Sequence, residues 1–367
     1  MAVTFADKLA RMPHYEPGTP LEDAQAAADS GEAVKLASNE SPFAPHPKVI
    51  EAIKDAAATV NLYPDPTARL LRGRIADRHG VDPGSVSLAN GSCEILLAAA
   101  IALCEPGDEI VYAWPAFSIY PYLAALSGAR EVRVPLADGD VHDLGAMLSE
   151  VTAATQLLIV CNPNNPTGTF IRAAEITEFC GQVPSSTTVI LDEAYIEYQE
   201  HDDPDTTIDL LRRFPNVVLL RTFSKCYGLA GLRVGYSLSA PQFRAAVDAV
   251  RQPYSINSIA QAAAAEAILH QDDVVDRVEK NLTERLWVEE QLADLGLEFA
   301  ASHANFSWID LGDRDETAVI DGLARAGVAV RAGTPLGGPG HFRVTYGTRP
   351  QNEKFIGALR EVLQTVT

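Results

Sequence analysis

The chain is poor in positive charge and in long apolar runs. Of its 367 residues, 49 are acidic and 29 are lysine or arginine, which gives a formal net charge of -20 at pH 7. A surface of this kind repels phosphates, so we expect no nucleic-acid partner. The longest apolar run, Ile95 to Cys104, is far shorter than the roughly 20 residues of a membrane-spanning helix. We therefore expect no membrane partner either.

Cysteine and histidine lack the spacing that disulfide frameworks and metal sites require. The five cysteines are far apart and form no CxxC pair, a distribution typical of a reducing cytoplasm. Neither an HExxH motif nor a cysteine–histidine cluster occurs, so we expect no metal site. Met1 to Pro20 contains no basic leader and no apolar core, so no secretory signal is expected there. These patterns predict a cytoplasmic protein.

Lysine is so scarce that one position stands out. Lys225 is the single lysine between Lys54 and Lys280, whereas arginines occur throughout that stretch. A guanidinium stays protonated in proteins, but a partly buried ammonium can lose its proton and attack a carbonyl. Lysine at this position therefore indicates chemistry that needs a primary amine, and we interpret Lys225 as a Schiff-base lysine.

A chain of this length is expected to form about two domains. From about residue 85 to residue 239, short β-branched runs alternate with helix-length segments. This pattern predicts an α/β domain with a mostly parallel sheet covered by helices, whose ligand binds at the carboxyl ends of the strands. The seven predicted strands are Ser85–Ala89, Glu109–Ala113, Glu131–Pro135, Gln156–Cys161, Thr188–Leu191, Val217–Leu220 and Val234–Leu238.

After about residue 255 the pattern is that of a smaller α+β domain. A long amphipathic helix, roughly Asp273 to Leu295, is expected to bridge the two domains. The N-terminal segment shows no strand signal up to Leu36 and is expected to pack as an arm against the smaller domain. The predicted divisions are 1–36 for the arm, 37–255 for the large domain and 256–367 for the small domain.

Polar motifs follow several of the predicted strands. The run 161–168 reads Cys-Asn-Pro-Asn-Asn-Pro-Thr-Gly, and the run 189–195 places Asp192 at the end of another strand. Gly91, Ser92 and Cys93 lie between a strand and a helix, where backbone N–H groups favour an anion. Each motif alone has a plain structural explanation as a turn, a capping residue or a helix N-cap.

Together the motifs resemble the fold-type I pyridoxal-phosphate (PLP) aminotransferases. The matches are Asn-Asn-Pro-Thr-Gly, Asp-Glu-Ala-Tyr, and Ser-Lys with an arginine eight residues later. The resemblance runs along nearly the whole chain. Within this family, the sequence is similar to the histidinol-phosphate aminotransferase subfamily and its aromatic aminotransferase relatives. It implies a PLP-dependent transferase fold whose large domain binds the cofactor.

The resemblance also implies a role for each matched residue around the cofactor ring. Lys225 forms the covalent link to the cofactor and then moves a proton on the substrate. Asp192 keeps the ring nitrogen protonated, which makes the ring an electron sink. Asn165 and Tyr195 bind the phenolic oxygen of the ring, and Phe117 stacks on its face, although Phe117 also suits a core position.

The cofactor phosphate is assigned to the start of a helix and to a loop near the lysine. The residues that the resemblance implies there are the backbone amides of Ser92 and Cys93 and the side chains of Thr222, Ser224 and Arg233. Cys93 stands where many relatives carry an acidic or amide residue, so a side-chain contact from it is in doubt. Tyr63 is assigned to the phosphate of the neighbouring subunit, which implies a homodimer with shared active sites.

Four residues are assigned to the substrate side. Arg343 matches the family position that binds the α-carboxylate, and Arg331 then binds the distal anion. A surface salt bridge is the alternative for both arginines. Tyr15 matches an aromatic residue that closes over the substrate, or it serves only in packing. Asn39 lies in the run that starts at Lys35, in which Ser41 replaces a frequent asparagine.

The resemblance implies an amino donor and a 2-oxo acid acceptor as substrates. We favour L-histidinol phosphate with 2-oxoglutarate, a reaction of histidine biosynthesis. The aromatic run from Trp114 to Tyr120 and a loop without basic residues, 332–340, keep phenylalanine or tyrosine as an alternative. A PLP-dependent lyase or phosphothreonine decarboxylase shares the cofactor set. A Rossmann dehydrogenase is disfavoured, because Gly228, Gly231 and Gly235 have the wrong spacing.

Overall fold

The computed structural model describes residues 3–5, 7–13 and 18–366. Its strands, numbered in chain order, are β1 Val34–Lys35, β2 Val86–Ala89, β3 Glu109–Trp114, β4 Arg130–Pro135, β5 Thr155–Cys161, β6 Thr188–Asp192, β7 Val217–Thr222, β8 Gly235–Leu238, β9 Glu298–Phe299, β10 Phe306–Asp310, β11 Val328–Ala329, β12 Arg331–Ala332 and β13 His341–Thr345. Its α-helices are α1 Leu21–Ala27, α2 Pro47–Ala57, α3 Arg69–His79, α4 Ser92–Leu103, α5 Tyr120–Ser127, α6 Leu144–Ser149, α7 Ala173–Gln182, α8 Leu210–Arg213, α9 Pro241–Val250, α10 Ser258–Ala267, α11 Gln271–Asp294, α12 Glu316–Arg325 and α13 Arg349–Thr365.

A seven-stranded sheet forms the centre of the larger part of the molecule. Its strand order is β2-β8-β7-β6-β5-β3-β4, and β8 runs antiparallel to both of its neighbours while the other pairs are parallel. The seven strands predicted from the sequence are these seven, with ends shifted by at most two residues. The prediction of a mostly parallel sheet is confirmed.

Helices cover both faces of this sheet, which explains why its strands read as continuous apolar runs. Side chains of consecutive strand residues point to opposite faces. In β6, Val189 and Leu191 belong to one buried cluster and Ile190 belongs to the other. Both clusters exclude solvent, so both alternating sets of positions are apolar.

A second, antiparallel sheet with the order β12-β13-β10-β9 forms the centre of the smaller part. Helices α12 and α13 pack together beside it, and Val319, Leu323, Phe355 and Leu359 are buried in its core. Helix α11 connects the two parts, because Val274 lies in a core cluster of the large sheet and Leu292 lies in the core of the small one. The long helix thus bridges the two cores.

The N-terminal segment contains a short strand for which the sequence shows no signal. Val34 and Lys35 form β1, which pairs in parallel with Val328 and Ala329 of β11. A two-residue strand is too short to show alternation, and its partner lies near the other end of the chain. Helix α10, placed after the expected boundary at residue 256, packs on α2 and α3 and contributes its alanines to the core of the large sheet.

The strand order brings the polar motifs together. Cys161, Asp192 and Thr222 are the last residues of β5, β6 and β7, which are neighbours in the sheet. Gly235 at the start of β8 pairs with Thr222 on one side and with Ala89 at the end of β2 on the other. The start of helix α4 and the loop that contains Lys225 therefore meet at one edge of the sheet.

We expect Gly235→Ala to destabilise the protein. A Cβ at Gly235 would lie 2.3 Å from the backbone nitrogen of Ser92 and 2.8 Å from the carbonyl carbon of Gly91. Backbone atoms cannot yield as a flexible side chain does, so the free energy of unfolding should fall by about 1–3 kcal/mol. Urea unfolding followed by circular dichroism measures this change.

Gly231→Ala is the matched control, because no heavy atom lies within 4 Å of the Cβ position of Gly231. If the two variants were equally stable, the close approach of Gly235 to the backbone of Gly91 and Ser92 would be contradicted.

Candidate active site

A pocket of about 230 Å³ lies at the carboxyl edge of the large sheet. The predicted site residues that line it are Asn39, Ser92, Cys93, Phe117, Asn165, Asp192, Tyr195, Thr222, Ser224, Lys225, Arg233, Arg331 and Arg343. Tyr15 lies outside the described residues. Tyr63 lies on the surface away from this pocket, with 83% of its area exposed.

Lys225 projects its amine into the pocket. Nζ donates a hydrogen bond to the carbonyl oxygen of Ser38 at 3.2 Å and lies 5.5 Å from the centre of the Tyr195 ring. Burial, reinforced by the guanidinium of Arg343, lowers the pKa of Lys225 to about 7. A substantial fraction of the amine is therefore unprotonated near neutral pH and able to act as a nucleophile.

Asp192 is buried at the end of β6, with 2% of its area exposed. Its Oδ2 accepts a hydrogen bond from the Tyr120 hydroxyl at 2.9 Å, and Oδ1 accepts one from the backbone N–H of Ala194 at 3.3 Å. Burial raises the pKa of Asp192 to about 6, while the Tyr120 hydrogen bond opposes that rise. The carboxylate is therefore ionised at neutral pH and available to pair with a cationic partner.

A network of amides, a phenol and a guanidinium also lines the pocket. Asn39, which has a positive φ of 54°, donates from Nδ2 to the Tyr195 hydroxyl at 2.9 Å. Arg343 donates from Nη1 to Oδ1 of Asn165 and from Nη2 to the carbonyl oxygen of Ala37 at 2.9 Å. Burial raises the pKa of Tyr195, so its hydroxyl keeps its proton. These contacts fix donors around the space next to Lys225.

The start of helix α4 and the loop before β8 form a cradle for an anion. Arg233, in the left-handed region at φ 55°, donates from Nη1 to Oγ of Ser224 at 3.2 Å. The backbone N–H of Ser224 donates to Oγ1 of Thr222 at 3.1 Å. A Cβ on Gly91 would lie 2.6 Å from Nη2 of Arg233, and Gly91 has a φ of 79°, so only glycine fits there. Helix N–H groups, hydroxyls and a guanidinium suit a phosphate.

This donor set fits pyridoxal phosphate. The cradle that a Cβ at Gly91 would fill suits the phosphate, and the buried carboxylate of Asp192 suits the ring nitrogen. The amine of Lys225 lies within the same pocket and suits the aldehyde carbon. Within residues 3–5, 7–13 and 18–366 no group of three or more histidine, cysteine, aspartate or glutamate side chains could hold a metal ion.

Two arginines add positive charge to the substrate side. Arg331 and Arg343 are directly opposite each other on the antiparallel strands β12 and β13, and at 9% and 6% exposure both are largely buried. Both line the pocket together with Lys225 and Arg233. In a chain with a net charge of -20, such a concentration of cations indicates a site for anionic molecules.

The structure gives contacts to three residues whose part in the site was not predicted from the sequence. Ser38 accepts the hydrogen bond of Lys225, Leu336 lines the pocket, and Tyr120 holds Asp192. Tyr120 lies in the aromatic run that was noted from the sequence, but its partner is 72 positions away. No local pattern reveals such a pair, because the fold alone brings the two residues together.

Comparisons with known proteins agree with this geometry. The family model for "Aminotransferase class I and II" matches residues 32–359. The chain is 42% identical to an aromatic amino acid aminotransferase of Streptomyces coelicolor, over 96% of each chain. It is 41% identical to a histidinol-phosphate aminotransferase of Moorella thermoacetica, over 95% of this chain and 90% of that one.

The structural comparison extends over the whole molecule. A histidinol-phosphate aminotransferase from Sinorhizobium meliloti, crystallised in complex with pyridoxal-5'-phosphate, superposes with a TM-score of 0.90 at 30% identity, covering 100% of this chain and 99% of that one. No helix of the described residues is both long and apolar enough to cross a membrane. The predicted transferase fold is confirmed, and the chain belongs to the class I and II aminotransferases, which are PLP-dependent transaminases of amino and oxo acids.

Proposed function

We propose that this aminotransferase moves the amino group between L-histidinol phosphate and 2-oxoglutarate, a step of histidine biosynthesis. The observation that carries the proposal is the pair of buried guanidiniums, Arg331 beside Arg343, that faces the pocket. Two adjacent cations suit a substrate that carries an anion at a distance from the amine. The named relatives from Moorella thermoacetica and Sinorhizobium meliloti support this choice.

We assign each residue around the cofactor ring a role that suits its position in the pocket. PLP would supply an electron sink and a carbonyl carbon that accepts the amino group. Lys225 would hold that carbon and, as a free amine, would hold and move the proton at the amine-bearing carbon of the substrate. Asp192 would keep a proton on the ring nitrogen, and Asn165 and Tyr195 would hydrogen-bond the phenolic oxygen. Phe117, which lines the pocket, would stack on the ring.

The cradle at the start of α4 would hold the phosphate of the cofactor. The backbone amides of Ser92 and Cys93 would donate to it from the helix N-terminus, and no contact of the Cys93 thiol is needed. The hydroxyl groups of Thr222 and Ser224 would donate as well, and Arg233 would add a charged, two-pronged donor.

Four residues select and orient the substrate. Arg343 binds the α-carboxylate of glutamate or 2-oxoglutarate, and Arg331 binds the distal carboxylate in one half-reaction and the phosphate of histidinol phosphate in the other. Asn39 positions the Tyr195 hydroxyl through their 2.9 Å hydrogen bond. The family resemblance is the basis for proposing that Tyr15 closes over the substrate.

Aromatic amino acids are the second candidate. Leu336 and Phe117 add apolar surface to the same pocket. The relative from Streptomyces coelicolor bears the name of an aromatic amino acid aminotransferase. A phenyl side chain would contact these residues and leave Arg331 without an anionic partner on the substrate.

We also propose a cytoplasmic homodimer. Val60, Leu62, Tyr63 and Leu70 expose apolar surface next to one another in the chain, and an apolar cluster of this kind suits a subunit interface. Tyr63 would extend from this surface to the phosphate in the neighbouring site. All five cysteines are free thiols, which suits the reducing cytoplasm.

Lys225 should carry the cofactor. Borohydride reduction of the yellow enzyme followed by peptide mapping should place the cofactor mass on Lys225, and the rate of covalent capture by apo-enzyme should rise as the pH is raised through about 7. Lys225→Ala should lower kcat by about 100-fold or more, because the proton transfer loses its base. Cofactor mass on another lysine would overturn the assignment.

Arg331 should distinguish the two substrate candidates. In single-turnover half-reactions of the PLP form, the wild type should react faster with histidinol phosphate than with phenylalanine. Arg331→Met should slow the reaction with histidinol phosphate by about 10- to 100-fold, since charge-assisted hydrogen bonds are lost. The reaction with phenylalanine should change little.

The control is Arg360→Met, which removes a guanidinium from an exposed position on α13. A wild type that prefers phenylalanine would reject histidinol phosphate as the main substrate and favour the aromatic candidate.

Tyr63 should act across a dimer interface. Tyr63→Phe and Lys225→Ala should each lose most activity as homodimers. A mixed dimer contains one site that carries both substitutions and one that carries neither. Co-refolding the two variants should therefore restore activity that neither parent shows. Absence of restored activity in a mixed dimer confirmed by mass would place Tyr63 in its own subunit's site or outside both.

A further inference from the structure

The hydroxyl of Tyr120 is buried, with the carboxylate of Asp192 as its acceptor and the thiol of Cys161 in contact with it. Tyr120 is the first residue of α5 and is 1% exposed. The rings of Tyr112 and Phe117 lie 5.6 Å and 5.9 Å from its ring. The hydroxyl donates to Oδ2 of Asp192 at 2.9 Å. Nothing in the packing of the ring itself requires this hydroxyl, because a phenylalanine fills the same space.

A buried hydroxyl costs free energy unless it is hydrogen-bonded, and a buried carboxylate costs more unless donors surround it. In the described part of the chain, Asp192 accepts the hydrogen bonds of Tyr120 and of the Ala194 backbone N–H, one on each oxygen. The Ala194 bond, at 3.3 Å, is the longer of the two. The hydrogen bond from Tyr120 is therefore the stronger of the two. It is also the one that a side-chain substitution can remove.

We propose that Tyr120 is a positioning residue for the cofactor: its hydroxyl holds the carboxylate of Asp192 ionised and aimed at the ring nitrogen of PLP. This inference rests on the proposed role of Asp192. Tyr120 does not contact the ring nitrogen in this scheme and acts only through the carboxylate.

The electrostatics predict the direction in which loss of the Tyr120 hydroxyl shifts the pKa of Asp192. Burial raises the pKa of Asp192, and the hydrogen bond from Tyr120 lowers it. Loss of the hydroxyl therefore raises that pKa further, so that Asp192 becomes protonated at a higher pH. A protonated carboxyl must lose its proton before it pairs with a pyridinium, so affinity for PLP falls below that pH.

Several titratable groups face Asp192 and contribute to its titration. These are Cys93, Tyr120, Cys161, Glu193, Tyr195 and Lys225. A substitution at Tyr120 leaves the other five in place. The ratio of the dissociation constants of variant and wild type at each pH therefore isolates the effect of the hydroxyl from the titration of Lys225 and of PLP itself.

The experiment compares Tyr120→Phe with wild type, using full-length enzyme from which PLP has been removed. The Kd for PLP is measured by fluorescence titration at a series of pH values. The ratio of the two Kd values should stay near unity on the alkaline side and rise to about tenfold or more at acid pH, as expected for loss of a hydrogen bond to a charged group.

Two controls separate this role from packing. Tyr112→Phe removes another buried hydroxyl, one that donates to Glu131 outside the site, and it should leave the Kd unchanged at every pH. The second control is 1-deazapyridoxal phosphate, in which CH replaces the ring nitrogen. Its Kd should be the same for Tyr120→Phe and wild type.

The outcomes are distinct. A Kd ratio that does not depend on pH, or an equal loss of affinity for the deaza analogue, would overturn the inference and leave Tyr120 a packing residue. A wild type that fails to bind PLP would overturn the proposed function itself. If Tyr120→Phe does not fold, a fluorinated tyrosine at position 120 replaces it. As a stronger donor, it should move the loss of affinity to lower pH, and an unchanged profile would reject the inference.

Discussion

The site depends on a buried amine and a buried carboxylate that share one pocket. Burial disfavours the charged form of both, so it lowers the pKa of Lys225 to about 7 and raises that of Asp192 to about 6. The lowered pKa of Lys225 helps the amine to lose its proton, whereas the raised pKa of Asp192 works against the ionised carboxylate that the proposed function requires. Hydrogen bonds from Tyr120 and from the backbone N–H of Ala194 stabilise the ionised form of Asp192, one on each oxygen. The surrounding hydrogen bonds thus decide which charge persists.

The single antiparallel strand of the large sheet brings together the cradle that we propose for the phosphate. Because β8 lies between β2 and β7, Gly235 pairs with Ala89 on one side and Thr222 on the other. Arg233, two residues before Gly235, is thereby brought against Gly91 at the start of α4. The close approach requires glycine at both Gly91 and Gly235. An anion site made from two distant segments therefore follows from one strand pairing and two missing side chains.

Much of this architecture could be predicted from the sequence, and the failures have physical reasons. Continuous apolar runs define the seven central strands, and turn residues after them mark the edge that carries Asp192 and Lys225. The pairing of β1 with β11 could not be predicted, because two residues carry no periodic signal. The contact of Tyr120 with Asp192 could not be predicted for a different reason. The sequence shows Tyr120 only as the end of an aromatic run, and the tertiary fold alone brings its hydroxyl to the carboxylate.

The residues that we propose for cofactor binding and those that we propose for substrate choice lie in different parts of the chain. Asp192, Lys225 and the phosphate cradle belong to the large sheet and its loops, whereas Arg331 and Arg343 lie on β12 and β13 of the small sheet. Relatives with two different substrate names are 42% and 41% identical to this chain, as expected if most of the shared sequence serves the fold and the cofactor. Arg343 also bonds Asn165 of the large part and the carbonyl of Ala37. If Arg343 binds a substrate carboxylate as we propose, that carboxylate would share the guanidinium with the contacts that join the N-terminal segment, the small sheet and the loop of Asn165.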